Sequence, residues 1–249
     1  MNISLPTQFN NKNYSYVELS KIKEQLETES HVSLDFKRTS FIQPNILAVL
    51  ALFIFQAKKK AHKVVCSNVS NRMLEFLTYY QFVSRGAKEK KPHFISLLKF
   101  TRKELMKFEQ ALSLELSALP DELNQYITNR LAILFSLALD EETHIFCSGY
   151  CNMSHDWLCV TLAYDKVLFN DFSALEEAVK HGQLRNENRV DFLMLIDEII
   201  LQHGKVWIGS ERFVYSHHEQ SKLIVPHDLD CTFITVHIPI HLMQTEDEQ

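Results

Sequence analysis

Glycine is scarce in this chain, with 5 residues in 249, against about 7% in an average protein. Loops that wrap a phosphate group depend on glycine, because glycine reaches positive φ freely and lets a ligand approach the main chain. The five glycines are scattered, and no loop-forming cluster of them occurs anywhere in the sequence. The sequence therefore argues against a glycine-rich phosphate-binding loop.

An excess of basic charge and a long apolar run are also missing. The formal net charge is −5, which gives no electrostatic basis for general nucleic-acid binding. The longest apolar run, residues 46–55, continues only to residue 57, which is too short to span a bilayer. Residues 1–10 lack the basic and apolar stretches of a secretion signal. We therefore expect a cytoplasmic protein with no membrane segment and no nucleic-acid partner.

The cysteines are odd in number and scattered, which fits reduced thiols in a cytosol: Cys66, Cys147, Cys151, Cys159 and Cys231. The spacing of His144, Cys147, Cys151 and His155 suggests zinc. On a strand, however, the two cysteines of that set would lie about 13 Å apart, so only an intervening turn would bring them to one metal ion. The competing interpretation is core thiols with surface histidines, and we expect no metal site.

The first third of the chain alternates strand and helix patterns. Residues 31–36 and 63–67 alternate as strands, while residues 46–60 predict a mostly buried helix that ends in lysines. Residues 69–80 predict a second helix with one apolar face. This order indicates a βαβ arrangement.

The same order resembles a STAS domain, the fold of anti-sigma-factor antagonists, over about residues 32–83. The resemblance depends on the segments 34–36 (Leu-Asp-Phe) and 40–42 (Ser-Phe-Ile) and on the helix that follows them. In the bacterial antagonists, a partner kinase phosphorylates a serine at the start of that helix. Related modules also present this edge to kinase-like partners.

At the matching place this chain carries Pro44 and Asn45, and the nearby Thr39 and Ser40 lie several residues out of register. The resemblance therefore implies a protein-docking surface without a phosphorylation switch. It would comprise Thr39, Ser40, Gln43, Pro44 and Asn45. The alternative interpretation is that Pro44 and Asn45 simply begin the helix, since both residue types favour that position.

Residues 84–92 are polar and charged, and they contain Gly86 and Pro92, which predicts a linker. Two basic clusters accompany it, at Arg85, Lys88, Lys90 and Lys91, and at Lys58, Lys59, Lys60 and Lys63. Either cluster could contact RNA or an acidic partner, although such runs are usually solvated.

The remainder of the chain places helices before a group of strands. A capping box at residues 101–104 begins one helix, and residues 121–139 predict a longer one. Residues 143–150 and 157–164 alternate as strands, and residues 191–203 predict a later helix. Further strands are predicted around Val206, Phe213, Leu223 and Ile234. The pattern favours an α+β layer with a largely antiparallel sheet.

This second order resembles a GHKL-type ATPase domain, the family of histidine kinases and anti-sigma-factor kinases, over about residues 120–242. The segments that carry the resemblance are 144–150, just after the long helix, and the helix–glycine–strand passage at 197–208. The resemblance implies an ATP site formed by the long helix, the end of a strand and a glycine-containing loop.

The chain departs from that family at each of those three places. Leu131 and Phe135 stand where the family has a water-positioning glutamate and a magnesium-binding asparagine. Asp165 matches the aspartate that reads adenine, but no glycine occurs in residues 164–168. Residues 185–191, at the position of the phosphate-covering loop, lack glycine too. The resemblance therefore implies a pseudo-ATPase.

These observations predict an α/β plus α+β protein. A STAS-like βαβ domain would cover residues 1–88, and a degenerate GHKL-like α/β sandwich, with helices on one face of a mixed sheet, residues 93–245. We expect a non-catalytic regulatory or scaffold protein without a cofactor, which binds a protein partner or a second copy of itself. The alternative is a nucleotide-binding protein, or a weak ATPase or kinase with a remodelled site, that uses Asp165 for adenine and binds ATP with magnesium.

Overall fold

The computed structural model describes residues 1–83, 94–152, 157–184 and 187–240, which we treat as an N-terminal part (1–83) and a C-terminal part (94–240). The helices of these residues are α1 (Asn13–Thr28), α2 (Ile46–Lys59), α3 (Asn71–Tyr79), α4 (Leu105–Glu115), α5 (Asp121–Phe135), α6 (Phe172–His181) and α7 (Val190–Leu201). The strands are β1 (Asn2–Ser4), β2 (Gln8–Phe9), β3 (His31–Asp35), β4 (Phe41–Ile42), β5 (Lys63–Ser67), β6 (Phe94–Thr101), β7 (His144–Asn152), β8 (Trp157–Tyr164), β9 (Gln183–Leu184), β10 (Glu187–Asn188), β11 (Lys205–Ser210), β12 (Phe213–Ser216), β13 (Ser221–Ile224) and β14 (Thr232–Pro239).

The N-terminal part is built on a parallel three-stranded sheet in the order β1-β3-β5. Helix α2 connects β3 to β5, so the predicted βαβ arrangement is confirmed. Strand β1 was not anticipated, because three residues are too few to display a period. Strands β2 and β4 form a separate parallel pair in which Gln8 lies opposite Phe41, and this pair leads directly into α2.

Helix α2 is apolar on nearly all sides, and a helix of this kind needs cover around its whole circumference. It packs on α1 and β5 within its own part of the chain, and on β7 and β8 of the C-terminal part. The last turn carries Lys58 and Lys59, which favour the negative end of the helix dipole. No helix among the described residues has the length and apolar character needed to cross a membrane.

The C-terminal part is built on a seven-stranded sheet in the order β13-β12-β11-β14-β8-β7-β6. Every neighbouring pair in it is antiparallel, so the expectation of a mixed sheet is wrong. The chain leaves β8, forms α6 and α7, and returns as β11, which runs parallel to β8. Strand β14 lies between these two and pairs antiparallel with both, so β8 and β11 do not pair directly with each other.

The seven-stranded sheet is covered by helices on both faces. Leu158, Val160 and Leu162 of β8 face the core formed with α4, α5, α6 and α7. Because α1 and α2 cover the other face, the expectation of helices on one face describes only half of the cover of this sheet. Ala163 of β8 and Phe233 of β14 face the opposite core, which is formed by the N-terminal part. The two parts therefore share a continuous hydrophobic core. The predicted boundary at residues 84–92 falls outside the described residues.

Local sequence signals account for several element ends. Thr101 and Glu104 form the predicted capping box, in which the Thr101 N–H and Oγ1 each donate to Glu104 Oε2 at 2.9 Å. These bonds, with Lys107 nearby, lower the pKa of Glu104 to about 2. Gly182 ends α6 at φ +66°, in the left-handed region that glycine adopts readily.

Gly209 serves a close approach between two parts of the chain. A Cβ atom placed there would lie 2.2 Å from the Phe233 ring. That ring stacks on Tyr16 of α1, with the ring centroids 5.5 Å apart. Gly209 therefore makes room for an aromatic contact between the two parts, a packing role that needs no ligand.

Candidate functional site

The predicted docking residues lie on either side of β4, just before the start of α2, and most of them face the interior. Ser40 is exposed, and its Oγ donates to the carbonyl of Thr7 at 3.0 Å. Thr39, Pro44 and Asn45 are buried, and Gln43 is partly buried. The structure thus leaves one of the five side chains on the surface.

The inward-facing residues of this loop contact the large sheet of the C-terminal part. The Gln43 Nε2 donates to the Tyr150 hydroxyl at 3.0 Å, and its Oε1 accepts the Asn11 N–H at 3.0 Å. The Ser148 hydroxyl donates to the carbonyl of Pro44 at 2.9 Å in a fully buried bond. The loop edge that the resemblance assigns to a partner is therefore occupied by the chain's own sheet.

Asp165, the predicted adenine-reading residue, follows β8, and its side chain is 4% exposed. Its Oδ1 accepts the His144 N–H at 2.8 Å, and its Oδ2 lies 3.1 Å from His144 Nδ1. The same Oδ2 accepts a hydrogen bond from Lys59 Nζ of α2 at 2.9 Å. Both carboxylate oxygens are thus used by groups of the protein.

Aromatic and basic side chains surround this carboxylate. The ring of Phe55 on α2 lies 4.7 Å from the His144 ring, with Lys59 Nζ at 4.6 Å and Lys99 Nζ at 3.8 Å from the Phe55 centroid. Desolvation lowers the pKa of His144 although Asp165 opposes the shift, and desolvation followed by the charge of Lys59 lowers the pKa of Lys99. The corner is a contact between the two parts of the chain, held by one carboxylate and two cations.

The long helix α5 contributes core side chains at the two positions that the GHKL resemblance assigns to catalytic residues. Leu131 and Phe135 are fully buried, as the sequence predicts for the inner face of this helix. The Phe135 ring stacks on Phe108 of α4 with the centroids 4.4 Å apart. Helix α5 ends at Phe135, one turn before the predicted residue 139. The inner face of α5 is therefore closed by apolar packing.

An open groove lies on the outer side of the same helix, between α5 and α7. It has a volume of about 530 Å³, and it adjoins a smaller hollow of about 190 Å³ that shares Ile133 and Asp191 with it. The groove is lined by Arg130, Ile133, Asp191, Met194, Leu195, Asp197, Glu198, Leu201 and Gln202. The groove was not predicted, because the apolar spacing in the sequence marks only the buried faces of the two helices.

The zinc hypothesis finds no support in the described part of the chain, where no three His, Cys, Asp or Glu side chains converge. Cys147 and Cys151 lie on the same strand face, as predicted, and both are buried in the core. Burial raises the pKa of the Cys147 thiol far above its usual value. His155 lies outside the described residues.

A buried polar network beneath the loop was also missed by the sequence analysis. Asn11 Oδ1 accepts from Asn45 Nδ2 at 2.7 Å and from the Tyr16 hydroxyl at 3.3 Å. Asn11 Nδ2 lies 3.4 Å from Nε2 of His237, which faces Cys159 across the β8–β14 pair. Asn11 and His237 are separated by 226 residues, so no local pattern could have connected them.

Fold and site together define a mixed α/β protein in which an antiparallel sheet is covered by helices on both faces and the two parts of the chain share a core. Neither a scan against models of protein families nor a search of curated proteins finds a match for this chain. Three features of the described residues bear on function, namely the loop contact, the Asp165 corner and the α5–α7 groove.

Proposed function

We propose that this chain is a non-catalytic regulatory or scaffold protein that acts through protein contacts. In this proposal the N-terminal part is a STAS-like module and the C-terminal part is a GHKL-like module that no longer turns over ATP. The observation that carries the proposal is the engagement of Asp165 by His144 and Lys59. Lys59 and the His144 ring lie against the Asp165 carboxylate, whose side chain is 4% exposed, so an adenine amine could reach it only if these groups moved away.

The packing of α5 supports the same conclusion. Leu131 and Phe135 supply no ligand atom for magnesium and no acceptor for an attacking water. The Phe135 ring is also stacked on Phe108, so a rotation of the Phe135 side chain would not open this place to a polar group. These two positions therefore offer neither a metal-binding nor a water-positioning group.

The contact between the two parts supports a role in docking. The parent families work by docking one module type on the other, and here Gln43 and Pro44 hold the loop on the chain's own sheet. We infer that this docking is a permanent intramolecular one. A further protein partner, or a second copy of the chain, then binds another surface. The five free cysteines support a cytoplasmic location.

The proposal is tested by capture with the full-length chain as bait in lysate of the native host, followed by reconstitution of the complex from purified components. We expect a complex of fixed stoichiometry that forms after removal of nucleotide and is unchanged by added ATP and magnesium. The Asp165→Asn variant should bind the partner equally well. A complex that forms only with ATP, and that this variant loses, would favour the nucleotide-binding alternative.

A further inference from the structure

Helix α7 has two apolar faces, and only one of them is covered. Phe192, Leu195, Ile196 and Ile199 point into the core. The opposite side presents Val190, Met194 and Leu201, which are 47%, 63% and 80% exposed. These positions follow the spacing i, i+4, i+11, which is a single stripe along a helix. A helix that is apolar on both sides needs a second covering surface.

The neighbouring helix α6 lies in the same layer and lacks such a stripe. Its outward positions are polar, namely Asp171 at its N-cap, Ser173, Glu177 and Lys180. Position in the layer therefore does not account for the exposed apolar side chains of α7. Contiguous exposed apolar surface bordered by polar groups is typical of a protein-binding site.

The groove beside this stripe gives a binding partner a place to lie. Met194, Leu195 and Leu201 line one wall, and Ile133 of α5 lies on the other. The helix α7 is 12 residues long, so the groove matches about three turns of a partner helix. An amphipathic helix that lays its apolar face into such a groove is a recurring mode of recognition.

The charges around the groove select the partner's chemistry. Three carboxylates line it, those of Asp191, Asp197 and Glu198, against the single cation Arg130. Arg130 is already paired with Glu198, with Nη2 and Oε2 2.9 Å apart. Asp191 and Asp197 form no ion pair with a lysine or arginine among the described residues. With Arg189 of the adjoining hollow as a second cation, the rim still carries three carboxylates against two cations, and this acidic balance complements a basic partner.

We infer that the α5–α7 groove binds an amphipathic helix of a partner protein, one whose apolar stripe is flanked by lysine or arginine. This inference deepens the proposed function, on which it rests, by naming the docking surface and the class of partner. A second copy of the chain fits less well, because a two-fold contact brings identical patches together. Asp197 of one copy would then approach the same acidic rim of the other.

The test uses the full-length protein and labelled synthetic helices of roughly fifteen residues, long enough to fold on binding. One peptide has leucines in a single stripe flanked by lysines. A second has glutamate in place of each lysine, and a third is a scrambled version of the first. Binding is measured by fluorescence anisotropy at low and at physiological salt. The Met194→Ser/Leu201→Ser variant removes the two most exposed side chains of the stripe. The matched control, Met106→Ser/Leu114→Ser, removes two side chains of α4 that are 73% and 64% exposed.

We expect the basic striped peptide to bind, and the α7 double variant to weaken that binding by about tenfold or more. The α4 control should change it by less than about twofold, within the range of contacts that contribute little. The Asp197→Lys variant should bind the basic peptide more weakly and the acidic peptide more strongly than the wild type does. All variants should keep the wild-type melting temperature, since the altered side chains are exposed.

Three results would overturn the inference. They are equal binding of the scrambled peptide, equal loss in the α4 control, and sedimentation of the wild-type chain as a dimer that the α7 variant abolishes. The last would assign the groove to a second copy. None of these results prevents a nucleotide-independent complex in the host capture experiment, so the two proposals fail separately.

Discussion

Lys59 of α2 and Asp165 at the end of β8 form an ion pair between the two parts of the chain, with Nζ and Oδ2 2.9 Å apart. The lysine is half-exposed while the carboxylate is almost fully buried. The buried partner therefore depends on this contact, together with His144, for its hydrogen bonds. The residue that the family resemblance assigns to adenine binding has a structural use here.

Asp165→Ala should lower the free energy of unfolding by about 1–3 kcal/mol, because it leaves the His144 N–H without its acceptor and Lys59 without its partner. The measurement is urea unfolding at neutral pH. Asp228→Ala is the control, since Asp228 and Arg212 are both exposed and form an ion pair with Nε and Oδ1 3.2 Å apart, and it should change stability by less than about 0.5 kcal/mol. If the two substitutions lowered the free energy of unfolding equally, the structural role of Asp165 would be contradicted.

Asn45→Ala should destabilise the chain by about 1–3 kcal/mol, the range for a lost buried hydrogen bond. The side chain is buried, and its Nδ2 donates to Asn11 Oδ1 at 2.7 Å. Ser40→Ala removes an exposed hydroxyl from the same loop and should be nearly neutral. A thermal unfolding comparison of the two variants decides the matter. A neutral Asn45 variant would mean that the bond to Asn11 does not stabilise the loop.

His237 should make the protein lose stability in acid. Burial, with smaller effects of Lys205 and His218, lowers the pKa of His237 from 6.5 to about 4. As the pH falls below 6.5, His237 becomes protonated in the unfolded chain but stays neutral in the folded chain. The free energy of unfolding therefore falls until the pH reaches about 4. The loss amounts to at most about 3 kcal/mol. His144, His217 and His218 shift in the same direction.

The contribution of His237 is isolated by comparing the urea midpoint with that of His237→Gln at each pH between about 7 and 4. The variant should lose less stability over this interval, although its stability at pH 7 is lower. Substitution of the exposed His181 with glutamine should leave the wild-type profile in place. Parallel profiles for wild type and His237→Gln would contradict the assignment.

Cleavage of the predicted linker should leave the two parts of the chain associated. Trypsin should cut first within residues 84–92, which hold one arginine and three lysines. Because Phe53 of α2 and Phe233 of β14 belong to the same buried cluster, the two fragments should co-elute on size exclusion under native conditions and separate in denaturant. Separate elution in native buffer would mean that residues 1–88 and 93–245 are independent domains.

Local sequence patterns predicted most of the elements but not the contacts between them. The Thr101–Glu104 capping box and the strand at residues 157–164 were predicted with their correct bounds, because each depends on residues close together in the chain. The placement of β14 between β8 and β11 was not predicted, since strand order leaves no local trace. The cover of the sheet's second face by helices of the N-terminal part was not predicted for the same reason.

Individual residues of the candidate site could be identified from the sequence, but their contacts with residues far away in the chain could not. Asp165 was singled out as an adenine-reading residue, and that role stays a prediction. Its ion pair with Lys59, which lies 106 residues away, could not be read from the sequence. The outer stripe of α7 was present in the spacing of Val190, Met194 and Leu201. It was obscured because the whole helix is apolar, and only the structure separates the buried side from the exposed one.

The central claim is that the chain does not turn over ATP. It is tested most directly by the rate of phosphate release from ATP with magnesium, measured for the purified full-length protein beside buffer and beside Asp165→Ala. We expect the three rates to be equal at all protein concentrations, because the Asp165 oxygens are occupied and Leu131 and Phe135 offer no catalytic group. A rate that rises in proportion to the wild-type protein and disappears in the Asp165→Ala variant would contradict the account.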